Sequence, residues 1–193
     1  PGDFAVPRKL GVMGSARTPA GWFNVLDYGL DVAASRQRQI DDYIDPARGR
    51  FAEKYYELPK ADPPLWIFIE EAAAVIGKGS GLNPQMKQEL FSKLWDLAQR
   101  GRSADVHVVF VVQLGTLISF GGDNGNGIRT SAAARIGHDR NPENLKAMFD
   151  ASEPATMEVI KKVEQGSYGR VAYSYLDAVN GATVLSGQVA KLS

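Results

Sequence analysis

The sequence predicts one α/β domain spanning residues 1–193. Three features carry that reading. There are two uninterrupted apolar runs, Leu65–Ile69 and Val106–Val112, and an amphipathic stretch between them long enough for a crossover helix. Glycine, proline or charge clusters punctuate the intervals. Short apolar runs bounded in this way read as strands buried on both faces. Strand, crossover helix and strand in that order make a βαβ unit with parallel strands.

Each element follows from its own pattern. From Gly21 to Ile44 the apolar positions Phe23, Val25, Leu26, Leu30, Val32, Ala33 and Ile40 keep a helical period among Asp, Arg and Gln, which predicts one long amphipathic helix. Residues 45–64, with Pro46, Gly49, Pro59, Pro63 and Pro64, read as a polar connection with a short helical turn around Phe51 to Tyr56. Leu65–Ile69, with two prolines before it and Glu70 and Glu71 after it, is the expected central strand. Gly77-Lys78-Gly79-Ser80-Gly81 leads to Pro84 and a helix reaching about Gly101, its apolar face formed by Met86, Leu90, Leu94 and Leu97. Val106–Val112 is the second parallel strand.

Residues 114–127, with Gly121-Gly122-Asp123-Asn124-Gly125-Asn126-Gly127, are too rich in glycine and asparagine for regular structure and read as a mobile loop. Beyond it come a short strand at Ala134–Gly137, a helix at Pro142–Asp150 capped by Asn141, and a helix at Glu153–Val163. Strands near 169–175 and 182–189 are expected to close the sheet. No internal repeat is present.

Composition narrows the function classes. Apolar residues make up 44% and charged residues 23% of the 193, the balance of a compact globular domain. Lys plus Arg equals Asp plus Glu at 22 each, so any contact with nucleic acid must be local rather than driven by an overall field. The absence of cysteine excludes disulfides and thiolate metal sites, and His107 and His138 are far apart in sequence. No apolar run approaches the roughly 18 to 20 residues of a membrane helix, so the segment is expected to be soluble and cytoplasmic. The start at Pro1 without an initiator Met suggests sequence upstream.

The chemistry concentrates where the first apolar run ends. In open parallel sheets ligands bind beyond the carboxyl ends of the strands. Two successive carboxylates there need solvent or a cation to offset their mutual repulsion. In phosphoryl-transfer ATPases such a position holds one acid that binds Mg²⁺ through water and one that orients or deprotonates the attacking water. Glu70 takes the first role and Glu71 the second. The plainer alternative is that both simply open an exposed helix, since acids favour helix N-termini. The neighbouring run ends in Gln113, which can donate to a phosphate and accept from a water, as a γ-phosphate sensor must. It can equally be a glutamine that starts a loop.

Taken together, Leu65-Trp66-Ile67-Phe68-Ile69-Glu70-Glu71-Ala72, Leu97-Ala98-Gln99-Arg100-Gly101-Arg102-Ser103-Ala104-Asp105-Val106-His107 and Val111-Val112-Gln113 resemble the FtsK/SpoIIIE family of motor ATPases. In that family a hydrophobic strand ends in an acid pair, a helix ends in LAQ-[KR]-x-R-x-x-G-[IV]-H, and the next strand ends in Gln. The likeness extends back to Asn24–Ile40 and forward to Ala134-Arg135-Ile136-Gly137, covering roughly residues 20–175. It implies a RecA-like P-loop NTPase core with a mostly parallel sheet flanked by helices, a hexameric ring, and ATP hydrolysis with Mg²⁺ at subunit junctions. Glu70 and Glu71 correspond to the Walker B acids, Gln113 to the sensor, and Arg102 to an arginine acting across the interface. Arg100 and Arg135 are further candidates for that duty. An arginine finger sets a fixed positive fork against charge developing in the transition state. Alternatively, Arg100 and Arg102 complement a helix C-terminus.

Two departures stand out. The family usually has Asp at the Glu70 position, and the extra methylene displaces the carboxylate by about 1 to 1.5 Å. No intact Walker A is present. Gly11-Val12-Met13-Gly14-Ser15-Ala16-Arg17-Thr18 has the outline of a phosphate loop, with Gly14, Ser15, Arg17 and Thr18 as its candidate contacts. It carries Arg for Lys and Ala for the preceding glycine, and Pro19 follows at once. The interval to Glu70 leaves little room for the elements expected between the two motifs. The preferred reading is therefore a connection here, with the phosphate loop missing or degenerate and the real one upstream of Pro1.

The family comparison places two channel-facing loops at Gly77–Asn83 and Leu114–Gly127. Glycine permits close backbone approach and exposed amides meet phosphates without reading sequence, so Lys78, Gly79, Gly121, Gly122 and Arg129 are the candidate DNA contacts. They are otherwise ordinary flexible loops. The resemblance implies a ring translocase moving double-stranded DNA, cytoplasmic or at the cytoplasmic face of a membrane complex anchored by a region outside this chain. Its alternative is a degenerate FtsK-like domain of an EccC-like secretion ATPase that binds substrate or regulates. A third, inactive structural subunit of a ring, is the blandest.

Overall fold

A computed structural model describes residues 17–47, 49–76, 80–112, 128, 132, 134–137, 141–149, 154–164, 170–177 and 181–188. Helix α1 (Pro19–Asp41) opens at Thr18, whose hydroxyl accepts from the Gly21 amide, with proline at its first position where no N–H is needed. A two-residue hairpin, β1 (Ile44–Asp45) with β2 (Arg50–Phe51), and a 3₁₀ turn at Tyr55–Glu57 occupy the stretch read as a polar connection. Strand β3 (Leu65–Ile69) is followed by the short helix α2 (Ala72–Ile76) and by helix α3 (Pro84–Ala104). Asn83 caps α3, its side chain accepting from the Met86 amide. Strand β4 (Val106–Phe110) runs parallel to β3, in the register Leu65 to Val106 through Ile69 to Phe110.

The βαβ unit is therefore present. Helices α1 and α3 cover one face of its ladder. Ile67 and Ile69 are buried in one cluster with Leu26 and Ala33 of α1 and Leu90, Leu94 and Leu97 of α3. Gly29 is the point of closest approach: a Cβ there would stand 2.6 Å from Ile67 Cδ1 and 3.3 Å from Leu97 Cδ2. A second close approach joins α3 to β4, where the missing side chain of Gly101 makes room for the Val106 carbonyl.

Buried Arg36 fixes the amino end of the ladder. Its guanidinium donates to the carbonyls of Pro63 (2.7 Å), Asp105 (2.9 Å) and Ala104 (3.2 Å) and lies 4.4 Å from the ring centroid of buried Tyr55. One side chain thus ties α1, the entry to β3 and the α3–β4 junction. A planar fork suits three carbonyls better than an ammonium does. At that junction Asp105 adopts a left-handed conformation (φ 57°), at the position where the family phrase carries glycine.

Two expectations need correction. The first is burial of β3 on both faces. Trp66 and Phe68 are 52% and 67% exposed, so among the described residues only the Ile67/Ile69 face is covered. The second is a mostly parallel sheet closed by the later strands. Strands β5 (Ala134–Gly137), β6 (Arg170–Asp177) and β7 (Gly181–Gln188) instead form a separate antiparallel meander. The described strands thus make three small sheets. Helices α4 (Pro142–Phe149) and α5 (Pro154–Glu164) pack with this meander in a second cluster around Leu145, Phe149, Ile160 and Ala172. The physical reason is connectivity: only residues 178–180 lie between β6 and β7, too few for the crossover that parallel pairing needs.

Candidate functional site

The acid pair stands at the carboxyl end of β3, and backbone hydrogen bonding shows how it is placed. Continuing the register sets Glu70 opposite Val111. The Val111 amide donates to the Ile69 carbonyl (3.0 Å), as in a regular parallel ladder, but the Val111 carbonyl accepts from the Ala72 amide (2.9 Å) rather than from that of Glu71. Glu70 and Glu71 therefore form a turn that ends the strand and leads directly into the next helix. Glu71 carries the extra turn in the left-handed region (φ 56°), at a cost of about 1 to 2 kcal/mol for a residue with a Cβ.

The turn has a chemical consequence. In an unbroken strand successive side chains point to opposite faces, so Glu71 would fall on the Ile67/Ile69 side, over the core. The left-handed turn removes it from that alternation, and both glutamates are exposed. Helix α2 starts immediately afterwards, anchored by buried Ala72 and Ile76, with the Ala74 amide donating to the Glu71 carbonyl. The plainer expectation, acids opening a helix, thus describes Glu71 in part. That helix is five residues long and its first residue is completely buried.

The other candidates divide. Gln113, Gly14, Ser15, Lys78, Gly79, Gly121, Gly122 and Arg129 lie outside the described residues. Val111, two positions before Gln113, is the residue bonded to the acid-pair turn. Arg100 and Arg102 are exposed on the last turns of α3, at the amino end of β4. Five strand positions of about 3.3 Å separate that end from Glu70, so the chain does not bring Arg102 to its own acids. Arg135 donates to the Met148 carbonyl (2.9 Å) at the end of α4, a helix C-terminus contact. Thr18 is the α1 cap, and Arg17 is exposed just before it.

Several features carry no sequence signal. The left-handed turn at Glu71 is one: a glycine at that position would have announced it. Another is a group at the opposite end of the ladder, where His107 Nε2 lies 2.8 Å from Asp105 Oδ1 and its ring stacks on Trp66 at 4.4 Å. A shallow groove of about 610 Å³ runs along α3, lined by Leu82, Phe91, Trp95 and Ile128 with Lys87 and Gln88, and does not include the acids. Among the described residues no three His, Asp or Glu side chains cluster as a protein-only metal cage. A Mg²⁺ held through one carboxylate, waters and phosphate oxygens needs none, and exposed carboxylate oxygens are the hard donors it takes.

No family model matches the chain, and no curated protein matches it. Among solved structures it is similar to the pCW3 conjugation coupling protein TcpA, solved in a monomer form with ATPγS. The TM-score is 0.58 and the identity 15%, with 88% of this chain and 44% of that one covered. The chain thus spans less than half the length of that protein. At this identity the likeness is one of fold: a mixed α/β fold shared with a coupling protein.

Proposed function

We propose that this chain is part of the RecA-like core of an FtsK/SpoIIIE-like ATPase that moves double-stranded DNA through a hexameric ring. The observation that carries the reading is the Glu70–Glu71 turn, which leaves two exposed glutamates at the tip of β3 beside the tip of β4. The fold it shares with a conjugation coupling protein supports the same reading. Mg²⁺ bound with ATP supplies charge neutralisation of the phosphates. Glu70 would hold it, Glu71 would orient the attacking water and accept its proton, and Gln113 would meet the γ-phosphate. Arg102 serves a neighbouring subunit's nucleotide, in keeping with its place on the far end of the ladder. Lys78, Gly79, Gly121, Gly122 and Arg129 meet DNA phosphates, without sequence preference and with strong salt dependence.

A second reading, an EccC-like secretion ATPase domain that regulates instead of hydrolysing, is favoured by one feature: Glu70 is a methylene longer than the aspartate usual in the family. The test is ATP turnover of the complete protein with and without linear duplex DNA, in wild type and Glu71→Gln. DNA-stimulated turnover that falls by about 100-fold or more in Glu71→Gln is expected. Turnover that survives the substitution removes the assignment of the base, and turnover indifferent to DNA favours the secretion reading.

A further inference from the structure

Two exposed faces, at opposite ends of the β3–β4 ladder, carry apolar side chains beside opposite charges. The first lies on α3. Gln88, Phe91 and Trp95 line its groove at three- and four-residue spacing and so share one stripe of the helix. Trp95 is 42% exposed. Arg102 is also exposed and stands seven positions on, two turns along the same stripe and about 10 Å away. The second face lies at the carboxyl end of β3, where Phe68 is 67% exposed and exposed Glu70 follows two positions later, about 7 Å along the chain. Val111, two positions beyond Val109, the partner of Phe68 in the ladder, is half exposed as well. Aromatic side chains and arginine are the groups that contribute most when a partner covers them.

We infer that these faces are the two halves of one interface, in which the α3 stripe from Trp95 to Arg102 seats the Phe68–Glu70 face of a second copy of the chain. Charge selects that partner. One face ends in a cation and the other in an acid, and a chain with 22 of each charge has no net field opposing self-association. The halves cannot close on each other within one chain, since about five strand positions of roughly 3.3 Å separate Glu70 from the end of the ladder that holds Arg102. A two-fold arrangement that sets each face on its own kind puts cation against cation. Head-to-tail contact instead pairs Arg102 with Glu70 and Trp95 with Phe68. Such contact is heterologous and generates a ring where the rotation closes. That Arg102 then serves a neighbour's nucleotide rests on the ATPase reading above; the seating of one copy on the next does not.

The experiment is sedimentation velocity of the complete protein over a concentration series, with and without ATPγS and Mg²⁺. Wild type is expected to associate. Trp95→Glu and Phe68→Glu are each expected to weaken association by about tenfold or more, the effect of losing a central aromatic contact. Ile136→Glu, at a position 70% exposed on the meander, is expected to leave it within about twofold. Arg102→Glu and Glu70→Arg each weaken it, and the double variant restores it to within about threefold, a rescue that general loss of folding cannot produce. A wild type that stays monomeric in both conditions overturns the seating. So does a Trp95→Glu or Phe68→Glu protein that associates like wild type, an equal loss in Ile136→Glu, or a double charge reversal as weak as the single ones. Turnover separates the two readings: a protein that associates and shows the rescue but hydrolyses no ATP keeps the interface and loses the ATPase assignment.

Discussion

Gly101→Ala and Gly29→Ala remove the same kind of residue from two buried helix positions, yet the structure assigns them different costs. At Gly101 an added Cβ would stand 2.4 Å from the Val106 carbonyl oxygen and 3.4 Å from its carbon. That carbonyl belongs to the first residue of β4 and moves only if the ladder moves. Overpacking against backbone falls at the upper end of the usual range, about 3 kcal/mol, and alanine's helix propensity returns about 1 kcal/mol. A net loss of about 2 kcal/mol lowers Tm by about 4 to 8 °C for a domain of this size. At Gly29 the nearest atom is Ile67 Cδ1 at 2.6 Å, the end of a side chain that can change rotamer. Repacking there costs about as much as the propensity gain of about 1 kcal/mol, leaving Tm within about 2 °C of wild type. Thermal denaturation followed by far-UV circular dichroism measures both. An equal or larger loss in Gly29→Ala would refute the contrast between a yielding side chain and a fixed backbone, and a Gly101→Ala protein that melts with the wild type would refute the close apposition of α3 and β4.

Arg36→Ala strands three carbonyls that now share one guanidinium, and urea titration is expected to show a loss of about 3 kcal/mol with the slope unchanged. Lys93 links α3 to Asp27 of α1 and lies 3.4 Å from Glu89; its hydrogen bond to Asp27 raises its pKa despite partial desolvation. Because the folded value exceeds the unfolded one, this stabilisation is complete below the ordinary lysine range and disappears as pH rises through the folded value. The stability gap between wild type and Lys93→Met, about 0.5 kcal/mol for a half-exposed pair, is expected to be constant at neutral pH and to close in strong alkali. Glu71→Gly keeps the turn while deleting the Cβ that makes it costly, so a gain of up to about 1 kcal/mol is expected in the same titration, and a loss would argue against the left-handed assignment.

Local patterns report faithfully on single elements. The helical period from Phe23 to Ile40, the Pro84 start of α3 and the apolar runs of β3 and β4 each appear where the pattern places them, with ends shifted by a few residues. Those signals are local, set by propensity, capping and amphipathicity. What failed was inference from an apolar run to its surroundings. Leu65–Ile69 has the composition of a strand with two covered faces, but composition records what a strand can bury, and Trp66 and Phe68 stand exposed among the described residues. The later strands likewise carry no mark of their partners, because pairing depends on connection geometry rather than on strand sequence. At the candidate site, the residue types and their order were legible and their arrangement was not. Arg135 shows the difference: a matching motif position holds a side chain bound to a helix-end carbonyl.

The sequence by itself determined the βαβ unit, the placement of two acids after an apolar strand and the residue types available for phosphate chemistry, because these depend on contacts between near neighbours. The tertiary structure decided that Glu71 leaves the strand alternation, that Val111 answers Ala72, and that Arg36 fastens three distant segments. Each of these joins residues tens of positions apart, and a hydrogen bond formed across such a span leaves no periodicity along the chain from which it could be read.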